Sequence, residues 1–339
     1  MKILLFHPVL LPPKNYGGTE RIVLWLARGL VEAGHQVWVA ASPGSTLPKG
    51  VSLIEVPPKR SSPELFAKDL LALGRALNFD VIHFHTPVSE TTLKLFPSPS
   101  LLTIHGNGKA GELFPKNTVF LSQDHARRHQ ATEYVYNGID PSEYVFAPAQ
   151  KTDRFLFLSK TSWKVKNVRG AIRLCRKSKV HLTVAGGHGP IIENALARFS
   201  KYIHWQGPVS GTIKAQLLAQ AKALVFPVLW PEPFGLVVVE ALISGTPVVA
   251  ARLGSLPELV TPDVGALLTE EAQWLEFLNS KVSFEPEVCR NRALSHFHFH
   301  QMTEKYLIFY KKVCSGLMLH TSNPIGLGWQ LKKVKGQFV

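Results

Sequence analysis

The chain has 339 residues, 45% of them hydrophobic, and a formal net charge of +14. That length suits two domains of ordinary size, and no run of about eighteen apolar residues is present to span a bilayer as a helix. Its three cysteines, Cys175, Cys289 and Cys314, are scattered without a C-x-x-C pair, which favours buried thiols in a reducing cytoplasm over a disulfide framework.

In chain order, residues 2–9 read as a first strand, too short in its apolar part for a signal peptide. Residues 19–33 read as an amphipathic helix with Ile22, Trp25, Leu26, Gly29 and Leu30 on one face and Gly34 as its stop. Strands follow at 35–41, 51–56, 80–86, 101–105 and 118–122, with helices at 63–77 and 89–95. Pro141 to Asp153 reads as a linker. A second alternating series then places strands at 155–159, 180–186, 203–207, 223–227 and 247–251, between helices at 167–177, 192–199, 212–221 and 235–244. Alternation of this kind predicts two doubly wound parallel sheets, with ligands beyond the carboxyl ends of the strands in a cleft between the domains.

The most informative stretch is Trp230-Pro-Glu232-Pro233-Phe234-Gly235-Leu236, followed by Val-Val-Val-Glu240 and, further on, Gly245 and Pro247. Gly235 opens a helix, Gly245 offers a left-handed cap and Pro247 blocks continuation. Glu232 then lies just before the helix, and Glu240 about one and a half turns inside it. A lone carboxylate in so apolar a run needs a partner. One reading gives the pair to sugar hydroxyls, beside a diphosphate on the helix-start amides. The other gives Glu240 a structural bridge to a core Lys or Arg.

The charge is uneven. Residues 151–179 hold ten Lys or Arg against one acid, Asp153. Such a field attracts a phosphorylated substrate or an anionic membrane surface. No nucleic-acid-binding pattern accompanies it, so nucleic acid is not an expected partner. His296, His298 and His300 alternate as metal ligands on a strand would, but packing or solvation is favoured because no further ligands cluster with them.

Together these residues resemble the retaining family 4 nucleotide-sugar glycosyltransferases of the GT-B fold. The resemblance runs from the first strand to about Cys314, and E-P-F-G-x-x-x-x-E, Glu232 to Glu240, is its most specific part. It implies two Rossmann-like domains facing a central cleft: an acceptor-side domain with linker at 1–150, a donor domain at 151–297, and a crossing helix with a basic tail at 298–339. Glu232 would contact donor-sugar hydroxyls and Glu240 the ribose diol, with Pro233, Phe234, Gly235 and Leu236 alongside. Gly17-Gly18 is similar to the family's glycine pair, with Thr19 as the expected helix cap. His105 matches a strand-end histidine near the sugar, and Ser122 and the Asn137–Asp140 turn also match. Gly186-Gly187 resembles the turn before the base pocket, and Gly254 to Glu258 a small-residue turn leading to a helix under the phosphates.

The family's diphosphate clamp is an Arg followed six residues later by Lys. Here Lys160 and Lys166 stand in those places, and Lys160 lacks the bidentate fork. Ser255 also replaces a second glycine. The resemblance implies a cytoplasmic enzyme, metal-independent and without a cofactor, that moves a hexose from a nucleoside diphosphate to a hydroxyl acceptor such as a sugar or lipid-linked glycan. Catalysis would fall to His105, Glu232, Lys160 and Lys166. A GT-B sugar epimerase and a degenerate nucleotide-sugar-binding protein are the alternatives.

Overall fold

The computed structural model describes residues 1–13, 17–57, 62–73, 78–187 and 200–329. The helix expected at 192–199, the end of the helix expected at 63–77, residues 188–190 and the last ten residues lie outside them. The chain divides into two compact units, Met1–Ile139 with Phe299–Trp329, and Asp140–His298.

Unit 1 carries a six-stranded parallel sheet in the order β3-β2-β1-β4-β5-β6. Its strands are β1 (Lys2–Phe6), β2 (Gln36–Ala41), β3 (Val51–Glu55), β4 (Val81–Phe84), β5 (Ser100–Thr103) and β6 (Thr118–Val119). The central strands are buried on both faces, so they read as continuous apolar runs and not as alternation. Helix Gly18–Glu32 buries Ile22, Trp25, Leu26, Gly29 and Leu30, as its periodicity requires. Gly29 is small because helix Phe299–Cys314 crosses there: a Cβ would stand 2.1 Å from Thr303 Oγ1.

Unit 2 carries a second six-stranded parallel sheet, β12-β11-β10-β7-β8-β9. Its strands are β7 (Phe155–Leu158), β8 (Leu182–Ala185), β9 (Ile203–Gly207), β10 (Leu224–Phe226), β11 (Val248–Ala251) and β12 (Gly265–Leu268). Phe155, Phe157, Val184, Val225, Val249 and Trp274 form part of its core. The strand β12 was not expected. It is four residues long, opens on a glycine and ends in two leucines, which suit a helix as well. Gly265 is required there, since a Cβ would fall 1.9 Å from Val248 O on β11.

Two expectations are corrected, for residues 141–153 and for Cys314, and the histidine stretch follows its favoured reading. Residues 141–153, read as a linker, belong to unit 2: they form two short 3-10 turns, Pro141–Glu143 and Pro148–Gln150, and Thr152 donates its N–H to Gln220 O at 2.8 Å. The 296–300 stretch, whose histidines the sequence favours for packing or solvation, is helical and not a strand. Helix Pro286–Phe297 ends and helix Phe299–Cys314 begins within it, and His296 is held by Arg292 while His300 pairs with Glu32 at 2.7 Å. Of the cysteines, Cys175 and Cys289 are buried, with burial pushing each thiol up to about 12, but Cys314 is exposed. No helix among the described residues is long and apolar enough to cross a membrane.

Candidate functional site

In unit 2 the groups converge at the carboxyl ends of β7 and β10. The loop after β7 turns through the 3-10 segment Lys164–Lys166 into Asn167, which adopts the left-handed conformation at φ 58°. Asn167 caps helix Val168–Lys177 by accepting from Gly170 N at 3.0 Å, and its amide donates to Pro227 O at 2.9 Å. Leu229 N donates to Val165 O at 2.8 Å. These bonds stitch the loop after β7 to the loop after β10, which is how Lys166 and Glu232, 66 positions apart, come together.

Lys166 Nζ lies 2.8 and 2.7 Å from the two oxygens of Glu232, and both residues are 6% exposed. Trp230 Nε1–H donates to Glu232 Oε2 at 2.5 Å, and the Lys166 ammonium stands 5.2 Å from the Trp230 ring. The carboxylate is thus neutralised and oriented from two sides before any ligand arrives. Lys160 is different. It is exposed, its Nζ sits 4.9 Å from the ring of Trp163, and no carboxylate pairs with it among the described residues. Trp163 in turn meets Trp230 edge to face at 6.2 Å.

Gly235 caps helix Leu236–Ile243 in the left-handed conformation at φ 91°, where a side chain would be strained, and Gly245 follows its end at φ 72°. Glu240 is 2% exposed inside that helix. Its Oε1 accepts from Tyr144 OH at 2.8 Å and from Lys214 Nζ at 2.6 Å. The partner that its burial demanded is therefore Lys214, on helix Gly211–Gln220. Phe234 is a core residue against Phe297, and with Pro233 buried it shapes the loop rather than presenting a side chain.

Ser255, which stands in place of a second glycine, fastens that loop. Its N–H donates to Glu232 O at 3.0 Å and its hydroxyl to Phe234 O at 2.6 Å. Gly254, at φ 61°, lies so close that a Cβ would stand 2.3 Å from Glu232 N. The helix that follows is one turn, Leu256–Leu259. Gly186 and Gly187 lie against the β7 loop: a Cβ on Gly186 would meet Ser159 O at 2.2 Å, and one on Gly187 would meet Thr161 Oγ1 at 2.6 Å. This puts Gly187 beside the loop carrying Lys160.

Unit 1 places its candidates at the carboxyl ends of β1, β4 and β5. Gly17 is the N-cap of helix Gly18–Glu32, so Thr19 lies inside the first turn and is not the cap. His105 follows β5 and shares a hydrogen bond with His85, Nε2 to Nδ1, at 2.9 Å. The loop after it is fixed by His125, whose Nδ1 accepts from Leu121 N at 3.2 Å and whose Nε2–H therefore donates to Gly106 O at 3.1 Å. Gly108 N donates to His129 Nε2 at 3.1 Å. Ser122 caps helix Gln123–Arg127 through His125 N at 3.0 Å.

Burial holds these imidazoles neutral. It lowers His7 from 6.5 to about 4 and, with His7 nearby, His105 to about 3, and it takes His83, His85 and His125 well below 6.5. Unfolding returns each to its ordinary value, so the unfolded chain binds more protons below pH 6.5. Their stabilisation is complete above that pH and falls by ~1.4 kcal/mol per pH unit per histidine as pH drops towards the folded value. A urea midpoint well below the neutral one is expected at pH 5.5. Equal midpoints would contradict buried neutral histidines.

Sequence reading missed Lys214, Tyr144, Trp230 and His85. Trp230 was in view beside Glu232, but nothing local marks Lys214 or Tyr144 as partners of a residue 26 or 96 positions away. No group of three His, Cys, Asp or Glu among the described residues is placed to hold a metal ion.

Two Rossmann-like α/β units, the second with paired acids at a glycine-capped helix start, define a GT-B glycosyltransferase architecture. A family model described as Glycosyltransferase Family 4 matches residues 16–162, and one described as Glycosyl transferases group 1 matches residues 152–281. The chain belongs to this glycosyltransferase family and is an enzyme of that class. It is 27% identical over 301 residues to a phosphatidyl-myo-inositol mannosyltransferase of Mycolicibacterium smegmatis, covering 74% of this chain and 77% of that one. The crystal structure of AviGT4, a glycosyltransferase of avilamycin A biosynthesis, matches with a TM-score of 0.76 at 23% identity over 93% of this chain and 98% of the other. Anabaena HepE in complex with UDP-glucose matches with a TM-score of 0.66 at 18% identity, over 94% and 100%. At those identities the two structures speak for the fold.

Proposed function

We propose that the protein transfers a hexose from a nucleoside diphosphate sugar to a hydroxyl acceptor with retention of anomeric configuration, unit 2 binding the donor. The observation that carries this is the pair of buried, pre-oriented carboxylates flanking a glycine-capped helix start. Glu232 and Glu240 suit sugar and ribose hydroxyls, and the helix-start amides at Gly235 and Leu236 lack intrahelical acceptors by position and suit the diphosphate. Lys160, exposed, and Lys166 add positive charge where the leaving phosphate gains negative charge. Unit 1 offers Gly17 and Gly18 at the start of helix Gly18–Glu32 and the imidazole of His105. The relatedness to mannosyltransferases favours mannose as the sugar.

Inversion requires a general base behind the anomeric carbon. Glu232 is unsuited to it, since Lys166 and Trp230 already hold its oxygens. Front-face attack uses the leaving phosphate as base, and protein cations then replace a metal. The test is proton NMR of the first product formed from GDP-mannose or UDP-glucose, with and without chelator. An α-linked product from an α-linked donor, at unchanged rate under chelation, is expected. A β-linked product refutes retention, and a rate restored only by manganese refutes metal independence. A thermal-shift panel of UDP, GDP and ADP identifies the base, since a ligand at a hundred times its dissociation constant adds about 2.7 kcal/mol.

A further inference from the structure

His85 is a buried residue that the proposed function does not use. It follows β4, is 4% exposed, and stacks on His105 with ring centroids 5.2 Å apart. Its Nδ1 is 2.9 Å from His105 Nε2, and its own Nε2 is buried without a hydrogen-bond partner among the described residues. His105 is half-buried, and no partner meets its Nδ1 among the described residues. Both rings are neutral for the reason given above, so each carries one proton and the shared bond has one donor.

Two arrangements satisfy that bond. In one, His105 donates from Nε2 and His85 must keep its proton on its own Nε2, a buried N–H with no acceptor. In the other, His85 donates from Nδ1 and leaves only a lone pair at the buried nitrogen. Orphaned buried N–H groups are rarer in folded proteins than under-used acceptors, which selects the second. The tautomer of His105 then follows, because a histidine's second nitrogen is set by the bond its first one makes.

We infer that His85 is a positioning residue that locks His105 as its Nδ1–H tautomer, so that His105 presents substrate with a neutral N–H donor aimed at an oxygen atom. The inference rests on the assignment of His105 to the sugar side of the site. It makes His105 unable to take the acceptor's proton through Nδ1, because that nitrogen already carries one, and assigns it the orienting of a sugar hydroxyl.

Long-range proton–nitrogen correlation spectra of the full chain, labelled with ¹⁵N-histidine, test this at neutral pH. The His105 signals are those lost in His105→Phe. A protonated Nδ1 and bare Nε2 are expected, and a protonated Nε2 overturns the inference. In His85→Leu the Nε2–H form of His105 is expected to appear, whereas His85→Asn, whose amide nitrogen takes the place of Nδ1, retains the Nδ1–H form. An unchanged His105 tautomer in His85→Leu also overturns it. If that variant does not fold, the wild-type spectrum still decides. No turnover is needed, so failure here is distinguishable from failure of the transferase reading.

Discussion

Lys166→Ala is expected to destabilise the chain by about 3–5 kcal/mol, the scale for stripping one partner from a buried ion pair. Among the described residues, the Glu232 carboxylate would keep only the Trp230 N–H, at a position 6% exposed. Lys160→Ala removes an exposed ammonium that stands over Trp163, so its stability change should stay within about 0.5 kcal/mol. Its turnover should nonetheless fall by roughly 10²–10³, as for deletion of one transition-state stabiliser. The two lysines, equivalent in sequence as a phosphate clamp, thus separate in the structure into a buried, paired cation and an exposed one, and the proposed function gives the phosphate chiefly to the exposed one. Urea midpoints and nucleotide release from the sugar donor measure the two effects. Lys166→Met combined with Glu232→Gln should recover most of the lost stability, because the burial problem lies in the unpaired charge and not in the missing packing. Equal midpoints for Lys160→Ala and Lys166→Ala would remove the distinction.

The contrast between these lysines marks where sequence stops being legible. Strand and helix positions followed from apolar runs and punctuation: Gly235 and Gly245 take the left-handed conformations that their places before and after a helix require. Thr19 was misread because a polar residue after two glycines resembles a cap, whereas the backbone enters the helix two residues sooner. Glu240 announced by its apolar surroundings that a partner must exist. It did not announce Lys214, because partners across a parallel sheet come from separate crossovers with no fixed sequence offset. Ser255 shows the reverse case. In sequence it is only a departure from glycine, yet its hydroxyl and N–H are what tie the Glu232–Phe234 loop in place.

Glu240→Gln is expected to weaken the bare nucleoside diphosphate by about 1.5–3 kcal/mol, the range for hydrogen bonds to a charged group. Glu232→Gln should leave that binding nearly intact and lower turnover of the sugar donor. The assignment rests on which part of the donor each acid meets, so calorimetry with the nucleotide alone isolates it. One complication has to be separated. Glu240 Oε1 already accepts from Tyr144 and Lys214, so the amide disturbs that local network as well as any diol contact. Lys214→Met and Tyr144→Phe perturb the same network while keeping the carboxylate. If they reproduce the full loss of affinity, Glu240 acts by holding its neighbours. If they bind nearly as wild type while Glu240→Gln does not, the carboxylate itself meets the ribose. Equal losses of nucleotide affinity in Glu232→Gln and Glu240→Gln would contradict the division of labour outright, because Glu232 is held by Lys166 and Trp230 and should see only the sugar.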